Sequence, residues 1–216
     1  MIIPPPFGDG QRIGLFGGSF NPAHGGHRAV AFYALRRLDL DWIWWLVSPQ
    51  NPLKEADGYR DYDERLKVAR RVARHPRFVV TDLEQQLDTR TTAATLTALA
   101  SVLRRGRFVW IMGADSFAGL HHWNDWTDIP ETIPLAVMAR PGFSMRALES
   151  RAALRYQGRR IASEKARELP GAPAPAWCFI PMPLRPESST AIRERVQNKR
   201  SGGRRPSSAR HEVVLD

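Results

Sequence analysis

The sequence contains a single cysteine, and this scarcity limits the classes of protein that it can encode. Cys178 alone cannot form an intramolecular disulfide, which favours a reducing compartment such as the cytoplasm, and its apolar neighbours predict a buried thiol. The chain also lacks an apolar run of the roughly 18–20 residues that a transmembrane helix needs, so no membrane partner is expected. Residues 1–6 are too short and too rich in proline to predict a signal peptide.

Acidic residues are also scarce, with 22 Asp and Glu against 32 Lys and Arg, which gives a net charge of +10. A protein with this charge attracts polyanions, so it could bind phosphorylated substrates or nucleic acid. The simpler interpretation is an arginine-rich surface with no such partner. Part of the excess lies in residues 199–216, whose Gly, Ser and Pro content predicts a disordered tail outside any site. Nucleic acid is therefore not expected as the main partner, and the oligomeric state stays open, a homo-oligomer included.

Strands and helices alternate along the predicted chain. Helical spacing predicts helices over about 26–38, 62–74 and 92–103, a short one after Asp115 and a last one from about Ser189. Short apolar runs predict strands at 12–16, 42–47, 78–80, 108–112, 135–138 and 177–180. This alternation predicts an α/β protein, with a Rossmann-like, doubly wound parallel sheet in a single domain.

Domain boundaries follow from composition. Residues 1–11 are predicted to be a flexible leader, residues 12–198 the folded domain, and residues 199–216 the basic tail. Residues 141–176, rich in Pro and Ala, are assigned only an Arg-rich helix and an irregular stretch.

The turn after the first strand carries the clearest candidate site. The turn is neither a Gly-x-Gly-x-x-Gly fingerprint nor a P-loop. Gly17 and Gly18 nevertheless let the backbone approach a phosphate closely. The helix that follows offers free N–H groups at its N-terminus. His24 and His27 are three residues apart, so both imidazoles can point into one crevice at the carboxyl end of the strand. A metal-binding pair or plain surface histidines remain the alternatives.

A second candidate segment lies near the other end of the chain. Ser189 and Thr190 stand where a helix would begin, so their hydroxyls can cap the helix or bind a phosphate. Arg193 follows one turn later with a planar, permanently charged fork suited to phosphate. A simple cap with a solvated arginine explains the segment equally well when it is taken alone.

The two segments together resemble a known superfamily. Residues 17–27 resemble the (H/T)-x-G-H signature of the nucleotidyltransferase α/β-phosphodiesterases, and Ser188 to Arg193 resembles the partner motif I-S-S-T-x-I-R. Glu187 replaces the usual leading isoleucine. The resemblance implies a nucleotidyltransferase domain over 12–198 with His24, His27 and Arg193 as catalytic residues. It also implies an ATP site formed by Gly17, Gly18, Ser19, Phe20, His24, His27, Asp115, Ser188, Ser189, Thr190 and Arg193.

Smaller matches point to the nicotinate-nucleotide adenylyltransferase branch. Residues 51–54 resemble that family's N-P-x-K loop, residues 89–96 its T-x-Y-T-x-D-T-L segment, and residues 111–115 its I-x-G-x-D. Thr91 and Ala94 stand where the family has Tyr and Asp. Residues 121–126 resemble a family segment whose first tryptophan packs on the pyridine ring, which implies this role for Trp123. Trp126 is interpreted as structural. The implied mononucleotide site consists of Asn51, Lys54, Thr92, Trp123 and Arg140.

The resemblance implies adenylyl transfer from ATP to nicotinic acid mononucleotide, giving nicotinic acid adenine dinucleotide and pyrophosphate in NAD biosynthesis. The mononucleotide phosphate is the nucleophile, so the protein supplies positioning and charge neutralisation, with Mg²⁺ arriving bound to ATP and no metal site on the protein itself.

Two alternatives stay open, and two other members of the superfamily are disfavoured by their motifs. A nicotinamide mononucleotide adenylyltransferase would differ only in a substrate with a neutral amide in place of the carboxylate, and main-chain N–H groups that recognise either one are not visible in the sequence. Phosphopantetheine adenylyltransferases typically carry Thr in place of His24, and cytidylyltransferases close with a different motif. From another class, a non-catalytic nucleotide-binding or RNA-binding protein would fit the basic charge.

Overall fold

The computed structural model describes residues 3–49, 60–183, 189–190 and 192–193. Within this part of the chain, seven parallel strands form one sheet in the order β3-β2-β1-β4-β5-β7-β6. The strands are β1 (Arg12–Gly18), β2 (Trp42–Val47), β3 (Phe78–Thr81), β4 (Arg107–Gly113), β5 (Leu135–Met138), β6 (Arg160–Ile161) and β7 (Trp177–Ile180).

Helices connect the strands and cover the sheet. The α-helices are α1 (Gly25–Arg37), α2 (Tyr62–Val72), α3 (Leu83–Gln86), α4 (Thr92–Ala98), α5 (Ala100–Leu103), α6 (Ala114–Ala118), α7 (Asp128–Thr132), α8 (Ser144–Leu148) and α9 (Arg151–Arg155). Shorter 3₁₀ segments span Leu120–His122, Gln157–Arg159 and Ser163–Gly171. None of the described helices is long and apolar enough to cross a membrane.

Both faces of the sheet are buried, which explains why the strands are continuous apolar runs rather than alternating ones. Neighbouring residues of β2 show this, because Trp45 packs with α1 and α2 on one face while Trp44 packs with the α4 and α6 side on the other. Both indoles are completely buried. The prediction of an α/β, doubly wound parallel sheet is confirmed.

The order of the strands places a crevice at the centre of the sheet. The chain runs from β1 through β2 to β3 on one side, then returns to β4 on the other side of β1. Connections that leave a strand pair in opposite directions open a gap above its carboxyl ends. The loop after β1 and the start of α6 after β4 therefore face the same space.

The six predicted strands are confirmed, whereas the helices and the region 141–176 differ from the prediction; the short helices α3 and α7, for example, are not predicted from the sequence. The single helix predicted over 92–103 is wrong: α4 and α5 are separate because Leu99, completely buried, has a ψ of 4° that interrupts the helical series. The region 141–176, to which the sequence assigns only an Arg-rich helix and an irregular stretch, contains α8, α9, two 3₁₀ segments and the edge strand β6, which has only two residues and so leaves no periodic signal.

The residues before β1 contact the body of the protein. The ring of Phe7 packs edge-on against Trp44 and Phe108, each with centroids 5.5 Å apart, and the Gly10 N–H donates to the Arg105 carbonyl at 2.7 Å. The predicted tail lies outside the described residues, and the boundaries of the domain at 12 and 198 stay predictions.

Candidate active site

A cavity of about 320 Å³ occupies the crevice above β1 and β4. Segments that are far apart in sequence line it: the loop after β1, the end of β2, α3, the start of α4, the end of β4, the segment around Trp123, Arg140 and the 189–190 pair. A volume of this order is typical of a small-molecule site. The sheet therefore gathers most of the predicted site residues into one cavity.

Close packing under the loop requires glycine. A Cβ on Gly17 would lie 2.5 Å from Cζ2 of Trp110, whose indole crosses β1 and forms part of the cavity floor. A Cβ on Gly18 would lie 3.3 Å from the Phe20 ring. Phe20 is 2% exposed and its ring stacks on Trp45 at 5.0 Å, so it chiefly supports the loop from below while reaching the cavity wall.

Main-chain hydrogen bonds orient the two histidines. His24 is the N-cap of α1, and its Nδ1 accepts from the Gly26 N–H at 3.1 Å, while Nδ1 of His27 accepts from the His24 N–H at 3.3 Å. A main-chain N–H can only donate, so neither Nδ1 carries a proton in this arrangement. Each neutral ring is therefore protonated at Nε2, which gives two hydrogen-bond donors on residues that line the cavity.

Packing holds the rings in place. The His24 and His27 centroids are 3.9 Å apart, and the Phe20 ring meets His27 edge-on at 5.0 Å. His24 is only 7% exposed. Two imidazole donors at a helix N-terminus, where the dipole also favours negative charge, form an arrangement suited to phosphate.

The C-terminal motif contacts the first motif directly, across more than 160 positions of sequence. Ser189 Oγ donates to the Pro22 carbonyl at 3.1 Å, and Nη1 of Arg193 donates to the Asn21 carbonyl at 2.7 Å. Nη2 of Arg193 also donates to Oγ1 of Thr190 at 3.1 Å. Ser189 and Thr190 line the cavity, whereas Arg193, predicted to be a catalytic and ATP-binding residue, is not among its lining residues and binds the Asn21 carbonyl of the loop after β1.

The opposite wall contains most of the predicted mononucleotide residues. Thr92, Trp123 and Arg140 line the cavity together with Asp115. Nε of Arg140 lies 3.6 Å from Oδ1 of Asp115. Asp115 does not cap α6, because that helix begins after Gly113 without a side-chain cap.

Several predictions concern residues outside this wall. Trp126 packs edge-on against Tyr156 at 6.4 Å with the Arg155 guanidinium over its ring, as expected of a structural residue. Burial raises the pKa of the Cys178 thiol to about 11, which confirms a core cysteine. Asn51, Lys54 and Ser188 lie outside the described residues.

The structure reveals two functional candidates that sequence reasoning missed. Arg65 is 1% exposed and donates to the main-chain carbonyls of Ser19 and Ser48, both at 2.7 Å, so it ties together the loops after β1 and β2. Its position one turn before buried Ala69 is the signal that could have revealed it. Glu84 is a buried carboxyl group in the cavity wall, and nothing in its local sequence indicates this.

The donors available to a metal ion are few. Among the described residues, no cluster of three or more His, Cys, Asp or Glu side chains could hold one. His24, His27, Ser189 and Thr190 bring imidazole and hydroxyl groups to the side of the cavity next to the loop after β1, and these groups suit the oxygens of a nucleotide.

His24 and His27, at the switch point of a doubly wound sheet, meet a Ser/Thr segment from the far end of the chain in one cavity, as the resemblance to nucleotidyltransferases predicts. The family model described as cytidylyltransferase-like matches residues 15–195. Among solved structures, Plasmodium falciparum nicotinic acid mononucleotide adenylyltransferase shares this fold. Its complex with NaAD has a TM-score of 0.64 at 16% identity, covering 85% of this chain and 83% of that one.

Sequence relatives define the family more narrowly. A Ruegeria pomeroyi protein named "Probable nicotinate-nucleotide adenylyltransferase" is 52% identical over 184 residues, 85% of this chain and 86% of the relative. A Parvibaculum lavamentivorans protein of the same name is 49% identical over 186 residues, 86% of this chain and 92% of the relative. The chain therefore belongs to the nicotinate-nucleotide adenylyltransferases, nucleotidyltransferases of NAD biosynthesis, and the family predicted from the motifs is confirmed.

Proposed function

We propose that the cavity transfers the adenylyl group of ATP to nicotinic acid mononucleotide, with the catalytic roles assigned to its own residues as follows. An oxygen of the mononucleotide 5′-phosphate forms a bond to the α-phosphorus of ATP. The bond from that phosphorus to the bridging oxygen breaks, and pyrophosphate leaves with the electron pair. The phosphate is already largely dianionic near pH 7, so no general base is needed.

The observation that carries this proposal is the pair of Nε2–H donors of His24 and His27 at the start of α1. Both donors would bind ATP phosphate oxygens, with His27 nearest the bridging position. Their Nδ1 atoms accept main-chain hydrogen bonds, so the donors are oriented before ATP arrives and lose little entropy on binding.

The C-terminal segment would hold the leaving end of ATP. Ser189 and Thr190 line the cavity and are assigned to the β- and γ-phosphates together with Arg193. In the structure Arg193 binds Asn21 and Thr190, and its guanidinium has further N–H groups beyond those two bonds. Arg193 therefore both fixes the loop and can stabilise charge on the departing pyrophosphate.

The remaining residues are assigned to the nucleosides. Thr92, Trp123 and Arg140 form the mononucleotide wall, where an indole face suits an electron-poor pyridinium ring. Asn51 and Lys54 are assigned to the same substrate from sequence alone, and Asp115 to the nucleotide ribose. Mg²⁺ would enter as part of the ATP complex, held by phosphate oxygens and water, and would neutralise phosphate charge. The cytoplasm suits the free thiol of Cys178.

Measuring pyrophosphate release with ATP and Mg²⁺, in parallel with nicotinic acid mononucleotide and nicotinamide mononucleotide, tests the proposal. We expect a strong preference for the acid in kcat/KM. Equal or reversed preference would assign the sister activity to the same site. If neither substrate supported release, the cavity would be a phosphate site with another nucleophile, and the proposal would be wrong.

A further inference from the structure

Glu84 is a buried acid beside the mononucleotide wall to which the proposed reaction assigns no role. It lies in α3, directly after β3, where the Leu83 N–H donates to Oγ1 of Thr81 at 2.9 Å and fixes the start of the helix. The residue is 5% exposed, yet it contributes to the lining of the cavity. Its carboxyl group therefore lies at the boundary between the core and the substrate space.

Hydroxyl groups from two other segments bind this carboxyl group. Ser48, immediately after β2, donates to Oε2 at 2.5 Å, and Thr95 of α4 donates to Oε1 at 3.4 Å. The Glu84 carbonyl accepts from the Thr89 N–H at 3.0 Å, and the hydroxyls of Thr89 and Thr95 are 2.8 Å apart. Glu84 thus connects the end of β2, the turn before α4 and α4 itself.

These connections reach both substrate walls. Oγ1 of Thr95 lies 3.0 Å from the Thr91 carbonyl, one turn earlier, where Thr91 and Thr92 line the cavity. On the other side, Arg65 donates to the carbonyls of both Ser48 and Ser19, and Ser19 belongs to the predicted ATP loop. Contacts therefore run from the ATP loop through Arg65, Ser48 and Glu84 to Thr95 and to the turn before α4, although the single Thr95 hydroxyl proton serves only one acceptor at a time.

Burial makes this carboxyl group costly to keep. Desolvation raises its pKa to about 7, and the hydrogen bonds from Ser48 and Thr95 offset only part of that effect. An apolar side chain of similar size would fill the same space without the cost of desolvating an acid. A buried acid in a cavity wall is more typical of a functional requirement than of stability.

We propose that Glu84 is a positioning residue for the mononucleotide: by binding Ser48 and Thr95, it sets the start of α4, and so Thr92, at a fixed distance from the ATP loop. This inference rests on the proposed function, because it takes the Thr92 wall as the mononucleotide side. It predicts that loss of the carboxyl group weakens mononucleotide binding selectively. ATP binding and the chemical step depend on the loop after β1, which Arg65 holds through the Ser19 carbonyl.

Steady-state kinetics of Glu84→Ala, Glu84→Gln and Thr95→Val test this inference, with exposed Glu164→Ala as the matched control. We expect Glu84→Ala to raise KM for nicotinic acid mononucleotide about tenfold, the effect of losing one buried hydrogen-bond partner, while KM for ATP and kcat change less than about threefold. Glu84→Gln keeps the shape and hydrogen-bonding capacity and should restore KM to within about threefold of wild type. Thr95→Val, which removes one donor without exposing the core, should shift KM in the same direction.

Two results would overturn the positioning role. One is an unchanged mononucleotide KM in Thr95→Val and in any Glu84→Ala protein that folds. The other is a parallel rise in both KM values, which would indicate general damage to the cavity. Thermal unfolding of every variant identifies loss of fold. Wild-type turnover is measured in the same assay, so a wild-type enzyme inactive towards the mononucleotide would refute the proposed function rather than this inference.

Discussion

At the scale of single residues, main-chain hydrogen bonds orient the two histidines of the cavity. The Gly26 N–H fixes the ring of His24, and the His24 N–H fixes that of His27. This cap converts a short sequence motif into two directed Nε2–H donors. The role of the Nε2 donor can be separated from that of the capping hydrogen bond, because an amide side chain can replace one ring nitrogen and not the other.

Replacing His27 by Asn should separate the roles of its two ring nitrogens. The Asn carbonyl oxygen can take the place of Nδ1 as acceptor for the His24 N–H, while the Nε2 donor is lost. We expect kcat to fall about a hundredfold, on the order of 3 kcal/mol of transition-state stabilisation, with an unchanged unfolding midpoint. Pyrophosphate release measures this, with His75→Asn as control, because His75 also accepts a main-chain N–H but lies outside the cavity. Near-normal turnover would remove His27 from the mechanism.

The buried carboxyl group of Glu84 makes a second residue-scale prediction, on stability against pH. Its pKa is raised from 4.5 to about 7 by burial, so the folded protein favours the protonated form. The resulting stability is fully present below pH 4.5 and is lost as pH rises through 7. Glu84→Gln cannot titrate, so its free energy of unfolding relative to wild type should increase between pH 5 and 8, by on the order of 3 kcal/mol. Urea unfolding of both proteins at these pH values measures the difference, and identical pH dependence would contradict it.

At the scale of secondary-structure elements, the cavity depends on how closely β1 and β4 approach. The Trp110 indole of β4 lies across Gly17 of β1, so the same contact closes the core and forms the cavity floor. Arg65 of α2 then binds the carbonyls that follow β1 and β2. Side chains that hold these elements together, Trp110 and Arg65, therefore also shape the site.

Gly17→Ala should disturb this contact. The added methyl would lie 2.5 Å from Trp110, so the indole must move towards the cavity or β1 must shift. We expect a loss of about 1–3 kcal/mol in the free energy of unfolding and a higher KM for ATP. Gly158→Ala is the matched control, since no atom lies within 4 Å of its added Cβ, and it should change stability by less than about 0.5 kcal/mol. Equal effects of the two substitutions would show that the contact with Trp110 is not tight.

At the scale of the whole molecule, the site is completed only when the two ends of the domain meet. Ser189 and Arg193 bind the carbonyls of Pro22 and Asn21, so the last described segment holds the first loop. The basic tail that follows adds charge but belongs to no predicted site. Removal of the tail and removal of the motif should therefore have different consequences.

Two truncations test this division. A chain that ends at Asn198 should keep kcat and unfolding midpoint close to those of the full chain. A chain that ends at Ser188 loses Ser189, Thr190 and Arg193, and its kcat/KM should fall about a hundredfold or more, because charged contacts to the leaving phosphates are lost. Pyrophosphate release by both proteins, together with circular dichroism, provides the measurement. An active protein ending at Ser188 would show that the loop after β1 suffices.

The sequence by itself determined the order of the elements, because burying a strand on both faces demands a continuous apolar run. Residues 42–47 and 108–112 predict buried strands for this reason, and both are observed. Local chemistry likewise predicted the histidine pair and the Ser/Thr/Arg segment, since each motif is contiguous. The family followed from both motifs occurring together.

Only the tertiary structure decided which side chains act together. Glu84 and Ser48 are 36 positions apart, and Arg65 reaches Ser19 across 46, so no local pattern could reveal either contact. The break at Leu99 and the edge strand β6 are likewise decided by packing, because one interrupts a good helical pattern and the other has two residues. Hydrophobic periodicity reports burial along one segment, whereas a binding site is formed where several segments converge.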